Sequence, residues 1–206
     1  DAGIPIYFFT GNHDMWMFDY FEKELGVKIY REPIYRVYND KKFLIGHGDG
    51  LGPGDRGYKF IKKVFAAKWS QWMFARLHPN FGIALANYFS RKSRIATGDS
   101  DSQFLGEDKE WLVQYCKEQE AINPQDYYIF GHRHLPMTIP INERATYINL
   151  GEWINYNTYA VFDGFETKLL EWKLSQQGRI FQLTKERRCS AIFLPYQKKD
   201  LEKDLE

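Results

Sequence analysis

The sequence predicts an α/β layered sandwich with two sheets, and three observations carry that expectation. Apolar runs of strand length alternate with helical spacings in the first half of the chain. Strand-like pieces dominate after residue 127. Three of the apolar runs stop at a glycine followed by a histidine or an asparagine. With 206 residues the chain is long enough to bury one sizeable core. Its 44% hydrophobic and 27% charged residues are those of an ordinary globular protein, and a formal net charge of +1 names no partner. No run of eighteen apolar residues is present, so no membrane-spanning helix is expected. Cys116 and Cys189 lack metal-ligand spacing and read as thiols of a reducing compartment.

The elements follow in order. Ile4 to Phe9 reads as a buried strand ending at Thr10-Gly11. Phe18, Phe21 and Leu25 share one side of a helix over Asp19 to Leu25, with Gly26 as its stop. Val27 to Tyr30, Ile34 to Tyr38 and Lys42 to Ile45 read as strands, the last two joined by an Asn39-Asp40 turn. Residues 56 to 94 are helical, Glu107 to Glu120 is a further helix, and Tyr127 to Phe130 a short strand. Thr138 to Ile141, Thr146 to Leu150, Tyr159 to Phe162 and Lys168 to Trp172 complete the strands, before a mixed tail from Leu174.

The chemistry lies where strands stop. Gly11-Asn12-His13-Asp14, Gly46-His47-Gly48-Asp49 and Gly131-His132-Arg133-His134 hold four of the five histidines. A leading glycine lets the backbone turn sharply and brings polar side chains to the sheet edge, where ligands of open α/β sheets collect. A loop histidine is usually only solvated, but three such corners in one short chain point to a shared site. Imidazole with amide or carboxylate oxygen suits manganese, iron or zinc, and the absence of cysteine from the corners argues against a structural zinc. His132 and His134, one residue apart, can turn towards adjacent metals. A pair of ions about 3.5–4 Å apart would clamp an attacking hydroxide and the substrate oxygens for displacement at phosphorus. Asp14 also has a purely structural reading, as the N-terminal cap of the helix that follows it.

Asn-His-Asp after glycine, then Gly-His-Gly, then Gly-His-x-His resembles the calcineurin-like metallophosphoesterases. That resemblance implies a four-layer αββα sandwich with two mixed sheets and two divalent ions, manganese being the expected metal. Asn12, His47 and His132 would bind one ion and His134 the other. His13, held by Asp14, would donate to the phosphoryl group or the leaving oxygen. Two further motifs of the family, Asp-x-His and Gly-Asp-x-x-Asp on earlier strands, have no equivalent here; Gly98-Asp99-Ser100-Asp101 echoes the second without following a strand. The chain therefore reads as lacking the family's first strands, and alone it is expected to hold metal weakly and to be poorly active or inactive.

Residues 56 to 94 carry nine lysines and arginines, nine aromatics and no acidic residue. Basic residues beside Trp69, Trp72, Phe81 and aliphatic bulk suit an anionic membrane face or a greasy anionic substrate better than a nucleic acid. An amphipathic helical hairpin packed on the domain is the structural alternative, with His78 beside Pro79 at its corner. The position of this insertion between the second and third corners resembles the UDP-2,3-diacylglucosamine diphosphatases of lipid A synthesis. The resemblance implies a core over 1–55 and 95–173 and a helical lid over 56–94 whose basic end (Arg91, Lys92, Arg94) meets phosphates; residues 174–206 have no counterpart in it and read as a C-terminal extension. Trp69, Trp72 and Phe81 would face the acyl chains. The implied reaction releases UMP and 2,3-diacylglucosamine 1-phosphate, at the inner face of the bacterial inner membrane, on the cytoplasmic side. The alternatives are a cyclic-nucleotide phosphodiesterase or nuclease with the same corners, and a non-catalytic membrane- or nucleic-acid-binding fragment built on the basic stretch.

Overall fold

The computed structural model describes residues 3–54, 56–97, 104, 106–173 and 182–183. The elements run β1 (Tyr7–Phe9), α1 (Tyr20–Leu25), β2 (Lys28–Tyr30), β3 (Ile34–Tyr38), β4 (Lys41–Ile45), α2 (Arg56–Ala66), α3 (Lys68–Phe74), α4 (Pro79–Thr97), a 3-10 turn (Glu107–Lys109), α5 (Trp111–Ile122), β5 (Tyr127–Phe130), β6 (Pro136–Pro140), β7 (Thr146–Leu150), β8 (Thr158–Phe162), β9 (Thr167–Lys173) and β10 (Gln182–Leu183).

Five strands form a mixed sheet in the order β3-β4-β5-β7-β6. Its three inner strands are parallel, Leu44 lying beside Tyr128 and Tyr128 beside Tyr147, while β3 and β6 run antiparallel at the two edges. Strands covered on both faces must read as continuous apolar runs, which is why Tyr-Tyr-Ile-Phe in β5 and Tyr-Ile-Asn-Leu in β7 show no alternation. On one face Leu44, Tyr128, Phe130, Ile139 and Tyr147 pack with Leu112, Val113 and Cys116 of α5. On the other, the Phe43 ring lies 5.1 Å from that of Tyr127 and 5.0 Å from that of Phe162 in β8. The result is an α–β–β layering: α5, the mixed sheet, then the antiparallel β8–β9 pair.

The mixed α/β class read from the sequence is the class observed. The expected pair of mixed sheets is replaced, among the described residues, by the mixed five-stranded sheet, an antiparallel sheet β10-β9-β8, and a two-stranded parallel pair β1-β2. The Asn39-Asp40 turn has φ of 47° and 62°, the left-handed pair of a two-residue hairpin that matches strand twist. Gly26 closes α1 at φ 64°, as its type predicted. Residues 56–94 form three helices rather than a two-helix hairpin. His78 lies at the α3–α4 corner, where its carbonyl accepts from Gly82 N at 2.9 Å. Trp16, from the loop after β1, ties these helices down: its Nε1 donates to Phe65 O at 2.8 Å and its ring meets Phe74 at 4.7 Å. Most of the tail, and Asp99 and Asp101, lie outside the described residues.

The burial pattern sets the cost of truncating the core. Leu44→Ala, at 1% exposure, should lower stability by about 2–5 kcal/mol through lost transfer energy and a cavity. Val37→Ala, at 64% exposure, should change it by less than about 0.5 kcal/mol. Denaturant titration of both variants checks the contrast.

Candidate metal centre

Parallel pairing of β4 with β5 brings the second and third corners to the same sheet edge. Ile45 lies opposite Ile129, and two hydrogen bonds carry the pairing past the strand ends: Gly46 N donates to Ile129 O at 3.1 Å, and Gly131 N to His47 O at 3.0 Å. The His47 and His132 rings consequently lie 5.4 Å apart. The first corner comes to the same place. An added Cβ on Gly11 would sit 2.4 Å from His47 Nε2, so only glycine admits the imidazole there.

His47 is oriented from behind. Its Nδ1 lies 2.9 Å from Asp49 Oδ1, and Asp49 is buried at 5% exposure. Burial alone would raise the Asp49 pKa. Hydrogen bonds from His47, Lys62 and Tyr58, with the Lys62 charge, outweigh it and hold the carboxyl well below the usual carboxylate range. An ionised carboxylate can only accept, so the proton resides on His47 Nδ1. The ring is thereby oriented with Nε2 towards Gly11, the orientation a metal ligand requires. Two of the Asp49 partners come from one helix: Tyr58 Oη donates to Oδ2 at 2.8 Å, and Lys62 Nζ reaches Oδ2 at 2.9 Å and the Asp49 carbonyl at 3.1 Å. Spaced i,i+4 on α2, they present one face to the carboxylate.

The third corner is backbone-strained. His132 and His134 have φ of 66° and 50°, left-handed values that cost a non-glycine residue roughly 1–2 kcal/mol each. Side chains on both sides hold it. Buried Asn149 donates Nδ2 to Gly131 O at 2.5 Å, and Arg133 forks onto Glu110 with Nε at 2.9 Å from Oε2 and Nη2 at 2.8 Å from Oε1.

Of the three corners singled out in the sequence, the structure brings together Gly11, His47 and His132. His13 and His134 are exposed. Asp14 does not cap α1, whose N-cap position is Asp19. Its Oδ1 instead accepts Gly11 N–H at 2.5 Å, so it shapes the corner. Trp69, Trp72 and Phe81 are 60%, 57% and 58% exposed on α3 and α4. Arg91 is exposed, while the side chains of Lys92 and Arg94 lie outside the described residues. Among the described residues no group of three or more His, Cys, Asp or Glu side chains gathers at one point. The chain thus supplies a partial donor set, the imidazoles of His47, held at Nδ1 by Asp49, and of His132, whose chemistry fits a divalent ion. The sequence places Asp49 in the second corner without assigning it a role, and it gives no role to Tyr58, Lys62, Glu110 or Asn149; the one available signal was the i,i+4 pair just downstream of Gly48-Asp49.

Asp49 also carries a pH signature. A depressed native pKa stabilises the fold above the unfolded value of about 3.9 and is lost as pH falls through the native value. The stability difference between wild type and Asp49→Asn should be full at neutral pH and shrink below about pH 4. A difference that stays constant from pH 7 to pH 2.5 in urea titrations would contradict the ionised assignment.

No family model matches the chain. It is similar to the UDP-2,3-diacylglucosamine hydrolase of Porphyromonas gingivalis, 35% identical over 177 residues, which cover 80% of this chain and 67% of that one. The enzymes of the same name from Histophilus somni and Aeromonas hydrophila are 29% and 24% identical, over 73% and 81% of this chain and 63% and 69% of theirs. The chain spans about two thirds of the length of these curated relatives. A zinc-complexed wild-type Vps29 from Entamoeba histolytica aligns with TM-score 0.32 and 13% identity, over 77% of this chain and 61% of that one, a likeness too low to bear on the fold. On the identity and coverage of the first of these relatives, the chain belongs to the UDP-2,3-diacylglucosamine hydrolase family.

Proposed function

We propose that this chain supplies part of the active site of a metal-dependent hydrolase acting on the diphosphate of UDP-2,3-diacylglucosamine, giving UMP and 2,3-diacylglucosamine 1-phosphate. The observation that carries the reading is the convergence of Gly11, His47 and His132 at one sheet edge, in a chain whose relatives bear that enzyme name. Asn12, His47 and His132 would hold one divalent ion and His134 a second, manganese being the expected metal. Bound ions would activate water and offset charge on the phosphoryl oxygens.

The chain's own residues do the rest. Asp49 orients the His47 ring, and Asp14 holds the turn that presents Asn12 and His13. His13, exposed beside the site, donates to the phosphoryl oxygen or to the departing phosphate. Water adds to the phosphorus nearer uridine, the anhydride P–O bond breaks, and the sugar phosphate leaves with the bonding pair. Arg91, Lys92 and Arg94 on α4 meet the phosphates, and Trp69, Trp72 and Phe81 take the acyl chains. The exposed aromatic and basic surface of α2 to α4 supports peripheral attachment to an anionic membrane at the cytoplasmic face. Among the described residues no helix is long and apolar enough to cross a membrane. No observation favours the cyclic-nucleotide, nuclease or nucleic-acid-binding readings.

Two measurements test the proposal on the full-length protein. Supplied with manganese, it should release UMP from the lipid nucleotide and leave cyclic nucleotides intact; turnover of cyclic nucleotides alone would refute the assignment. His132→Ala should cut kcat by at least about 10–100-fold with an unchanged circular dichroism spectrum, and a wild-type rate would remove His132 from the ligand set. For the membrane reading, Trp69→Ala with Trp72→Ala should weaken sedimentation with phosphatidylglycerol vesicles. Equal sedimentation would discard it.

A further inference from the structure

The residue between the two histidines of the third corner is Arg133. Its guanidinium runs to Glu110, just ahead of α5, in a two-point fork of 2.9 and 2.8 Å. Glu110 is 2% exposed and the Arg133 side chain 17%. The residues before and after Arg133 both have left-handed backbone, and Arg133 N itself donates to Gly131 O at 2.8 Å. Three successive side chains thus have separate fates. The His132 ring lies near those of His47 and Tyr58, Arg133 is drawn to α5, and His134 is exposed.

A buried ion pair is a poor source of stability, because desolvating both charges offsets most of their attraction. A planar fork on a carboxylate does something else well: it fixes the plane and direction of the guanidinium, which an ammonium cannot do. Asn149 clamps the carbonyl at the head of the same turn from the β7 side.

We propose that Glu110 is a positioning residue: through Arg133 it holds the left-handed turn that presents His132 and His134, and thereby sets the affinity of the corner for a divalent metal. The inference rests on the reading of that corner as a metal site. Lysine at 133 keeps the charge and loses the fork. Leucine at 110 with methionine at 133 removes both charges while keeping apolar volume.

The test is calorimetric titration of manganese into the complete protein, paired with thermal melting, for wild type, Arg133→Lys, the double variant Glu110→Leu/Arg133→Met, and His132→Ala. Arg133→Lys should bind manganese about 10–100-fold more weakly and lose kcat with KM for the lipid nucleotide unchanged. The double variant should recover the wild-type melting temperature and keep the weakened metal affinity, a separation that a merely structural pair would not give. Wild-type manganese affinity in both variants, or affinity that simply follows melting temperature, overturns the positioning role. If His132→Ala binds manganese as wild type does, or wild type binds none, the metal reading of the corner fails and the inference with it.

Discussion

The candidate site depends on the parallel register between β4 and β5. Because Ile45 pairs with Ile129 and both chains turn at a glycine directly afterwards, two histidines far apart in sequence emerge side by side. A shift of one residue would send the side chains of either strand to the opposite face. The register is pinned from both faces: Leu44 and Tyr128 are locked among the residues of α5, and Phe43 against Tyr127 and Phe162. Core packing and site geometry are therefore one constraint. The same residues that exclude water from the sheet place the imidazoles.

Around that register polar side chains support His47 and the turns that bear His132 and Asn12. Asp49 anchors His47, Asn149 and Glu110 anchor the turn bearing His132, and Asp14 shapes the turn bearing Asn12. Buried polar groups are tolerated only when their partners are complete, and each of these carboxylates and amides has at least one. The Asp49 partners Tyr58 and Lys62 lie on α2, and Trp16 of the first corner reaches Phe65 of α2 and Phe74 of α3. Helices whose outer faces are rich in exposed aromatics are in this way tied to the supports of the site.

Much of this was legible in the sequence, for physical reasons that differ by element. β3, β5 and β7 could be read to the residue because their apolar runs end abruptly at turn-forming residues. The three corners stood out because glycine followed by histidine or asparagine, three times at strand ends, has few structural explanations. The arrangement of the sheets was less legible: whether β1-β2 joins the larger sheet or stands apart depends on long-range pairing that no local pattern encodes. The anchors were hidden for a related reason. Glu110 and Asn149 look like ordinary surface residues in sequence, and only the fold shows that they are buried against Arg133 and Gly131. Asp14 shows the opposite error, since a residue type suited to helix capping is used instead to close its own turn.

The central claim is that the second and third corners share one divalent ion, and anomalous diffraction from a manganese-soaked crystal of the complete protein tests it most directly. The account predicts a manganese peak within coordination distance of both His47 Nε2 and the His132 ring, with His47 Nδ1 still on Asp49. A peak elsewhere, or a His47 ring turned so that Nδ1 has left the carboxylate, would contradict it.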